Sequence, residues 1–292
     1  MPLDSAVHAT GCRIASGMTN RGIGSPWPAT SPGREWQNEF MTDYLIPQWP
    51  APARVRALCT TRSGGVSQAP YDSLNLGEHV GDDPLAVAAN RLTFENSLAA
   101  RPVYLSQVHG TAVAALADDS AHGMVADASL TTRSGLACSI MVADCLPLLF
   151  TDLQGSAVAA AHAGWRGLAG QGGRGVVEQT LDALAAVGTA SDILAWLGPC
   201  IGPQAFEVGD EVREAFTSQD AAAQALFQPH TAGKWLADLP GLARLRLRRA
   251  GVEQIYGNDG SLPWCTFGNP ARYFSHRRDR VNGRMAACIW LT

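Results

Sequence analysis

Short apolar runs bounded by turn-forming residues recur along most of the chain and predict β-strands. The predicted strands are 55–60, 103–107, 139–143, 148–151, 157–161, 193–197, 272–275 and 285–290. The runs at 148–151 and 157–161 flank a short polar segment with a glycine, so we expect them to pair as a hairpin. Strands therefore dominate the predicted architecture.

Longer segments with apolar residues on one face predict helices. They cover 85–98, 173–187, 208–216 and 235–249. The first follows Asp83 and Pro84, and proline is favoured in the first turn of a helix. Pro240 lies inside the last segment, where it would kink or split a helix. Because strands and helices do not alternate regularly, the pattern predicts an α/β fold of the α+β type with mixed sheets.

Residues 1–40 lack this periodicity and are rich in Gly, Pro, Ser, Thr and Arg. No apolar segment follows the first residues, so a secretory signal is not expected. We interpret 1–40 as a disordered or non-native extension. The catalytic domain is expected to occupy 41–292, with Met41 as its natural start.

Composition excludes several classes of protein. The chain has 292 residues, 46% of them hydrophobic, which is enough for a substantial core in one domain. Its net charge of -4 gives no reason to expect nucleic acid as a partner, and no stretch approaches the length of an apolar membrane span. The seven cysteines are odd in number and contain no CxxC, which suits a reducing cytoplasm.

Three residues among small and apolar neighbours indicate metal chemistry. They are His109, Cys145 and His162, each at the end of a predicted strand. Two imidazoles and one thiolate suit zinc, or copper with an added axial ligand, and three protein ligands leave a coordination position open for catalysis. Taken alone, a histidine or cysteine in such a setting is more often structural, and the spacing of the three is not a recognised local metal pattern.

A cysteine hydrolase is the alternative interpretation of the same residues. Cys145 would be the nucleophile and His162 its base, with Asp144 or Gln107 as the orienting group or oxyanion donor. Asp144 precedes Cys145 in an apolar run, so it is either a general base that orients a ligand or a structural group that caps a turn or pairs with an arginine.

Four further polar residues are candidates for substrate binding. Arg166, just after the His162 segment, and Arg62, in a glycine-rich turn, would suit an anion such as phosphate, although a salt bridge would explain Arg166 equally well. Asn75 either contributes to the site or holds a turn through its side chain. Gln107 lies two residues before His109 and by strand alternation would point to the same side.

Several long motifs, in order from about residue 41 to the end, resemble the YfiH-like family. They are TRSGGVS at 61–67, YDSLNLG at 71–77, QVHG at 107–110, ADCLP at 143–147, HAGWRG at 162–167, LGPCIGP at 197–203, FEVG at 206–209, FSHRRD at 274–279 and GRMA at 283–286. This family is also called the multicopper polyphenol oxidase or laccase-domain family, or purine nucleoside phosphorylase of the laccase-domain type. Residues 1–40 match nothing in it, and Cys200 stands where a small residue is expected.

The resemblance implies a single domain layered α/β/β/α, with metal ligands at His109, Cys145 and His162. It implies a cytoplasmic enzyme that splits adenosine, inosine and methylthioadenosine with phosphate into a free base and ribose 1-phosphate. Adenosine deamination, copper-dependent oxidation of phenols and amidase editing of peptidoglycan precursors are also attributed to the family. The partners would be a purine nucleoside and phosphate, with the chain as a monomer or homodimer.

Physical chemistry ranks these activities. A laccase that reduces oxygen needs several copper ions and many histidine ligands, and seven histidines, most without suitable context, cannot supply them. We therefore expect a zinc enzyme acting on purine nucleosides, with copper possible and phenol oxidation incidental. A cysteine-dependent amidase and a nucleoside-binding protein that only stores a metal are the alternatives.

Overall fold

The computed structural model describes residues 43–188 and 192–292, so the predicted extension at 1–40 lies outside the described residues. The strands in these ranges are β1 (Val55–Cys59), β2 (Arg101–Tyr104), β3 (Val113–Ala115), β4 (Ala128–Thr131), β5 (Leu136–Val142), β6 (Leu146–Asp152), β7 (Val158–Ala163), β8 (Ile193–Leu197), β9 (Glu207–Gly209), β10 (Phe227–Pro229), β11 (Lys234–Ala237), β12 (Gln254–Gly257) and β13 (Met285–Leu291). The α-helices are α1 (Pro84–Ser97), α2 (Trp165–Ala169), α3 (Val176–Ala186), α4 (Asp210–Thr217), α5 (Leu239–Arg249) and α6 (His276–Asp279). Short 3₁₀ turns cover Glu78–Val80, Ala221–Leu226 and Leu262–Trp264.

The strands form three sheets. A four-stranded sheet has the order β1-β13-β5-β2, a six-stranded sheet the order β12-β8-β6-β7-β4-β3, and a small sheet the order β10-β11-β9. Most neighbours are antiparallel, but β2 runs parallel to β5, β12 to β8 and β3 to β4. The mixed sheets and the β6–β7 hairpin confirm the prediction from the sequence.

The two large sheets pack face to face through alternate residues of each strand. In β6, Leu149 belongs to the core between the sheets, whereas Leu148 and Phe150 belong to a second core beneath the helices. In β7, Val158 and Ala160 face the first core, and Ala159 and Ala161 the second. Both strands of this hairpin are fully buried. Because both of their faces are covered, their sequences are almost continuously apolar.

Helices cover the outer faces of this sandwich. Val176, Val177 and Leu184 of α3 are buried in the core beneath the six-stranded sheet, together with residues of α2, α4 and α5. On the far side, the Arg91 guanidinium of α1 lies 4.2 Å from the ring centroid of Tyr104, on the outer face of the four-stranded sheet. The predicted α/β/β/α layering in one domain is confirmed for the described residues.

Three local predictions were wrong. Residues 235–249 do not form one helix, because residues 234–237 pair as β11 and the Asp238 side chain caps α5. Pro240 therefore lies in the first turn of a helix rather than at a kink. Residues 272–275 form no strand but lead irregularly from a turn at 271–272 into α6, and residues 207–209 before α4 form β9. Among the described residues, no helix is long and apolar enough to span a membrane.

Candidate metal centre

The ends of four strands meet at one edge of the four-stranded sheet. Strands β1, β2 and β5 run in one direction and β13 in the other, so the carboxyl ends of the first three lie beside the amino end of β13. His109 follows β2 on a short loop, and Cys145 lies where the chain crosses from β5 into β6 of the other sheet. His162 lies within β7, paired with Pro147 of β6. Both sheets therefore contribute to one site.

The donor atoms of His109, Cys145 and His162 lie within 4.8 Å of one another. His109 Nε2 is 3.8 Å from Cys145 Sγ, and the imidazole rings meet edge to face with centroids 4.8 Å apart. Around a tetrahedral zinc the donors would be about 3.3–3.6 Å apart, so a contraction of at most about 1.5 Å completes the geometry. His109 is exposed and Cys145 half-buried, which leaves one side open. The donor set fits zinc or copper.

Asp127 connects two of these residues, and the sequence analysis missed it. Its Oδ1 lies 2.9 Å from His162 Nδ1, while its carboxylate accepts backbone N–H bonds from Val108, His109 and Gly110 at 3.2, 2.9 and 2.6 Å. A carboxylate at Nδ1 fixes the imidazole so that Nε2 faces the site. The available signal was a lone aspartate between Ala126 and Ala128, completely buried in the structure.

The backbone at the centre shows a close approach at one glycine and two strained residues. A Cβ on Gly164 would lie 2.8 Å from His109 Cδ2 and 3.0 Å from Cys145 Sγ, so a glycine is required for the three donors to approach. His109 and Asp144 adopt positive φ angles of 60° and 91°. Such conformations cost about 1–3 kcal/mol each and cluster at functional sites, where surrounding contacts hold them in place.

The charged groups of this cluster shift the pKa values of Cys145 and His162 toward their charged forms. Burial by itself would raise the pKa of the Cys145 thiol, but the neighbouring His162 charge and hydrogen bonds from both imidazoles lower that pKa to about 6. Burial would lower the pKa of His162, yet Cys145 and Asp127 raise it to about 9. At neutral pH the metal-free site therefore holds a thiolate, which is the form that coordinates metals or attacks as a nucleophile.

Asp144 is held by partners from three other segments. Its Oδ1 accepts a 2.6 Å hydrogen bond from Thr266 Oγ1, its Oδ2 accepts the Arg277 N–H at 2.6 Å, and its backbone oxygen accepts the Ile201 N–H. These contacts fix the crossing that precedes Cys145. Asp144 is not among the three metal-donor residues found in the described part of the chain, and its role as a general base remains a prediction.

The side chains of Gln107 and Asn75 each make several hydrogen bonds to other loops and strands. Gln107 donates from Nε2 to the Met141 oxygen and accepts the Met141 N–H, both at 2.8 Å, which extends the β2–β5 pairing. Asn75 Oδ1 accepts the N–H groups of Gly77 and Arg284, and its Nδ2 donates to Asp82. Both side chains position loops, and substrate binding by either remains a prediction.

The two predicted phosphate-binding arginines differ in their surroundings. Arg62 pairs with Asp72 at 3.2 Å and donates to the backbone oxygens of Asp72 and Pro270, so its charge is already neutralised. Arg166 is exposed and stacks on Trp165, with its guanidinium carbon 4.5 Å from the ring centroid. Within the described part of the chain, Arg166 makes no ion pair, which leaves it able to bind an anion.

Comparison with characterised sequences and solved structures places the chain among known proteins. It is 52% identical over 252 residues to a purine nucleoside phosphorylase of Pseudomonas aeruginosa, covering 86% of this chain and 99% of that one. It is 51% identical over 253 residues to the purine nucleoside phosphorylase YfiH of Escherichia coli, covering 86% and 100%.

The solved structures agree. A Neisseria meningitidis protein matches with a TM-score of 0.78 and 46% identity, covering 85% of this chain and 99% of that one. The YlmD protein of Geobacillus stearothermophilus matches with a TM-score of 0.75 and 32% identity, covering 85% and 96%. The family model described as multi-copper polyphenol oxidoreductase laccase matches residues 56–292. The chain therefore belongs to this laccase family, which confirms the resemblance that its motifs indicate.

Proposed function

We propose that the chain is a metal-dependent purine nucleoside phosphorylase that acts on adenosine, inosine and methylthioadenosine. A phosphate oxygen would form a bond to C1′ of the ribose while the bond from C1′ to the purine breaks, and the base would leave with the electron pair and take up a proton. The convergence of His109, Cys145 and His162 on an open site carries this proposal. The names of relatives about half identical over nearly their full length support it.

The residues of the chain have separable tasks in this scheme. A bound zinc ion would act as a Lewis acid that polarises an oxygen or lowers the pKa of a water molecule. Asp127 holds the His162 ring in place, and the exposed side of His109 leaves room for a small substrate. Adenosine deamination at the same centre is a further part of the proposal. Oxidation of phenols would be incidental, since one group of metal-binding residues is found in the described ranges.

The setting proposed for this activity is the cytoplasm, with a nucleoside and phosphate as partners and no nucleic acid. The six cysteines in the described part of the chain are free, which fits a reducing compartment. Native mass spectrometry of the purified chain would distinguish a monomer from a homodimer.

A turnover assay tests the main proposal. Zinc-loaded protein is incubated with inosine and phosphate, and in parallel with adenosine alone, and products are separated by chromatography. Ribose 1-phosphate and hypoxanthine in the first reaction support phosphorolysis, and inosine in the second supports deamination. Each of the three nucleosides is also incubated with phosphate in turn, methylthioadenosine being expected to give 5-methylthioribose 1-phosphate; absence of a sugar 1-phosphate from all three contradicts the phosphorylase assignment. A His109→Ala variant, which removes a donor from the exposed side, serves as the matched inactive control.

A cysteine-dependent amidase is the second candidate, favoured by one observation. Asp127, His162 and Cys145 form a chain of interacting groups in which the thiol pKa is lowered, as a nucleophilic cysteine requires. The two candidates differ in their need for metal. An amidase keeps its activity on peptidoglycan-precursor amides after chelation and loses it on alkylation of Cys145, whereas the phosphorylase is inactivated by chelation and restored by zinc.

A further inference from the structure

Arg284 is a half-buried arginine at the same edge of the four-stranded sheet as the candidate metal centre. It directly precedes β13, whose first residue, Met285, pairs with Val142 at the end of β5. The backbone of Arg284 therefore lies opposite Ala143, which is two residues before Cys145. The negative charges of Cys145 and Asp144 also act on its guanidinium. Its place in the fold therefore puts a cation within electrostatic reach of Cys145.

The surrounding loops hold Arg284 firmly in place. Its backbone N–H donates to Asn75 Oδ1 at 2.9 Å, and its Nη1 donates to Asn282 Oδ1, to the Asn282 oxygen and to the Gly283 oxygen at 3.0, 3.3 and 3.0 Å. A Cβ on Gly77 would lie 2.7 Å from Arg284 Cγ. The glycine at position 77 therefore leaves room for the methylene groups of the Arg284 side chain. One side of the guanidinium is thus anchored, and only by neutral acceptors.

This anchoring differs from that of neighbouring arginines. Arg62 pairs with Asp72 at 3.2 Å, and Arg91 pairs with Glu78. Among the described residues no carboxylate pairs with Arg284, and its Nε and Nη2 have no acceptor there. Burial lowers the pKa of Arg284, which reflects the cost of a desolvated charge. The charges of Cys145 and Asp144 offset only part of that cost, and neutral carbonyls cannot cancel the charge, so binding of an anion would lower the free energy of the site.

We propose that Arg284 binds the phosphate co-substrate through its free N–H groups. A guanidinium fork matches two oxygens of a phosphate, and the resulting charge-assisted hydrogen bonds are among the strongest in proteins. Its position next to the crossing that carries Cys145 would hold phosphate at the same centre as the nucleoside. This inference rests on the proposed phosphorylase function, and it names Arg284 instead of the neutralised Arg62 as the main anion-binding residue.

The test compares zinc-loaded full-length proteins that carry Arg284→Gln, Arg284→Lys or Arg101→Gln. Arg101 is the matched control, because it also donates to neutral backbone oxygens, those of Asp118 and Ser120, but begins β2 at the opposite edge of the sheet. Zinc content, kcat, the KM for phosphate and the KM for inosine are measured. Calorimetric titration with inorganic phosphate in the absence of nucleoside gives a direct Kd.

Arg284→Gln should raise the KM and the Kd for phosphate on the order of ten- to hundredfold, the value of charge-assisted hydrogen bonds. Zinc content and the KM for inosine should stay near those of the wild type. Arg284→Lys should give an intermediate KM for phosphate, because it keeps the charge and loses the fork. Arg101→Gln should behave like the wild type.

Some outcomes overturn the inference without touching the phosphorylase proposal. A wild-type KM for phosphate in Arg284→Gln would do so, as would an equal rise in both KM values. Should Arg284→Gln fail to fold, Arg284→Lys decides in the same way. If the wild type splits no nucleoside, the phosphorylase proposal fails, and the Kd for phosphate from calorimetry still tests whether Arg284 binds phosphate. Binding that is lost in the Arg284 variants but kept in Arg101→Gln supports the inference, whereas no binding by the wild type overturns it.

Discussion

His162 and His109 offer the same type of donor to one centre from opposite surroundings. His162 lies inside β7, is only 3% exposed, and is fixed by the Asp127 carboxylate. His109 lies on a loop after β2, is exposed, and has a positive φ of 60° with Cys145 Sγ as its side-chain hydrogen-bonding contact. One imidazole therefore belongs to the buried core, and the other lies on the exposed side of the cluster. His162 is therefore fixed in position by its surroundings, whereas His109 is free to adjust its position.

The largest expected effect distinguishes the two histidines by stability. His162→Ala leaves the buried Asp127 carboxylate with only its backbone donors, so the free energy of unfolding of the metal-free protein should fall by about 3 kcal/mol. His109→Ala changes an exposed residue and should alter that free energy by less than about 1 kcal/mol. Urea denaturation in the presence of a chelator measures both. Equal losses in the two variants would contradict the comparison.

Asp127→Asn should have the next largest effect, on metal affinity. The amide keeps the shape of the carboxylate but not its charge, and loss of such a partner behind a ligand typically costs about 10–100-fold in affinity. Competition for zinc with a chromophoric chelator gives the ratio to the wild type. Asp182→Asn, which changes an exposed carboxylate paired with Arg174, is the control and should leave zinc affinity unchanged. An unchanged affinity in Asp127→Asn would show that His162 needs no such support.

A smaller effect concerns the pH dependence of thiol alkylation in metal-free protein. Because the pKa of Cys145 is lowered to about 6, its rate of alkylation by iodoacetamide should reach half its plateau near that pH and fall as the pH drops further. An unperturbed thiol has its midpoint near about 8.5. Mass spectrometry in a Cys12→Ser background should find Cys145 modified first, as Cys138 and Cys288 are buried with raised pKa values. A midpoint above pH 8 would contradict the thiolate assignment.

The smallest expected effect comes from Gly164→Ala. The new methyl group would press against His109 Cδ2 and Cys145 Sγ, and the exposed His109 can move away whereas His162 cannot. Zinc affinity should fall several-fold, with a loss in the free energy of unfolding no greater than about 1 kcal/mol, the low end for an added methyl group beside movable neighbours. Chelator competition and urea denaturation measure these two quantities. A larger effect on stability than on affinity would mean that Gly164 serves packing rather than the centre.

The sequence predicts those features that local patterns encode. The strand at 193–197, the hairpin and α1 were confirmed because apolar periodicity and a proline after a capping aspartate act over a few residues. The convergence of the three donors was also predicted, since each follows or ends an apolar strand. By contrast, the first residues of 235–249 were misassigned, because pairing of Trp235 with Val208 overrides their helical pattern.

Residues whose partners are distant in sequence escaped prediction. Asp127 contacts His162 and the loop at 108–110, far from it on either side along the chain, so no local pattern reveals its role. In the sequence Arg284 is one basic residue within a motif, and only the fold shows that no carboxylate in the described residues pairs with it, whereas Asp72 pairs with Arg62. Asn75 could be assigned to a turn, but not to the Arg284 backbone more than two hundred residues away.

The crossing from β5 to β6 has a consequence for the lifetime of the protein. Cys145 lies on the segment that joins the two large sheets, His109 follows a strand of one, and His162 lies in the other. An ion shared by these three residues would act as a cross-link between the sheets, and its binding energy would add to the stability of the native state by mass action. Zinc starvation would then lower the stability of the native protein as well as stop the proposed reaction.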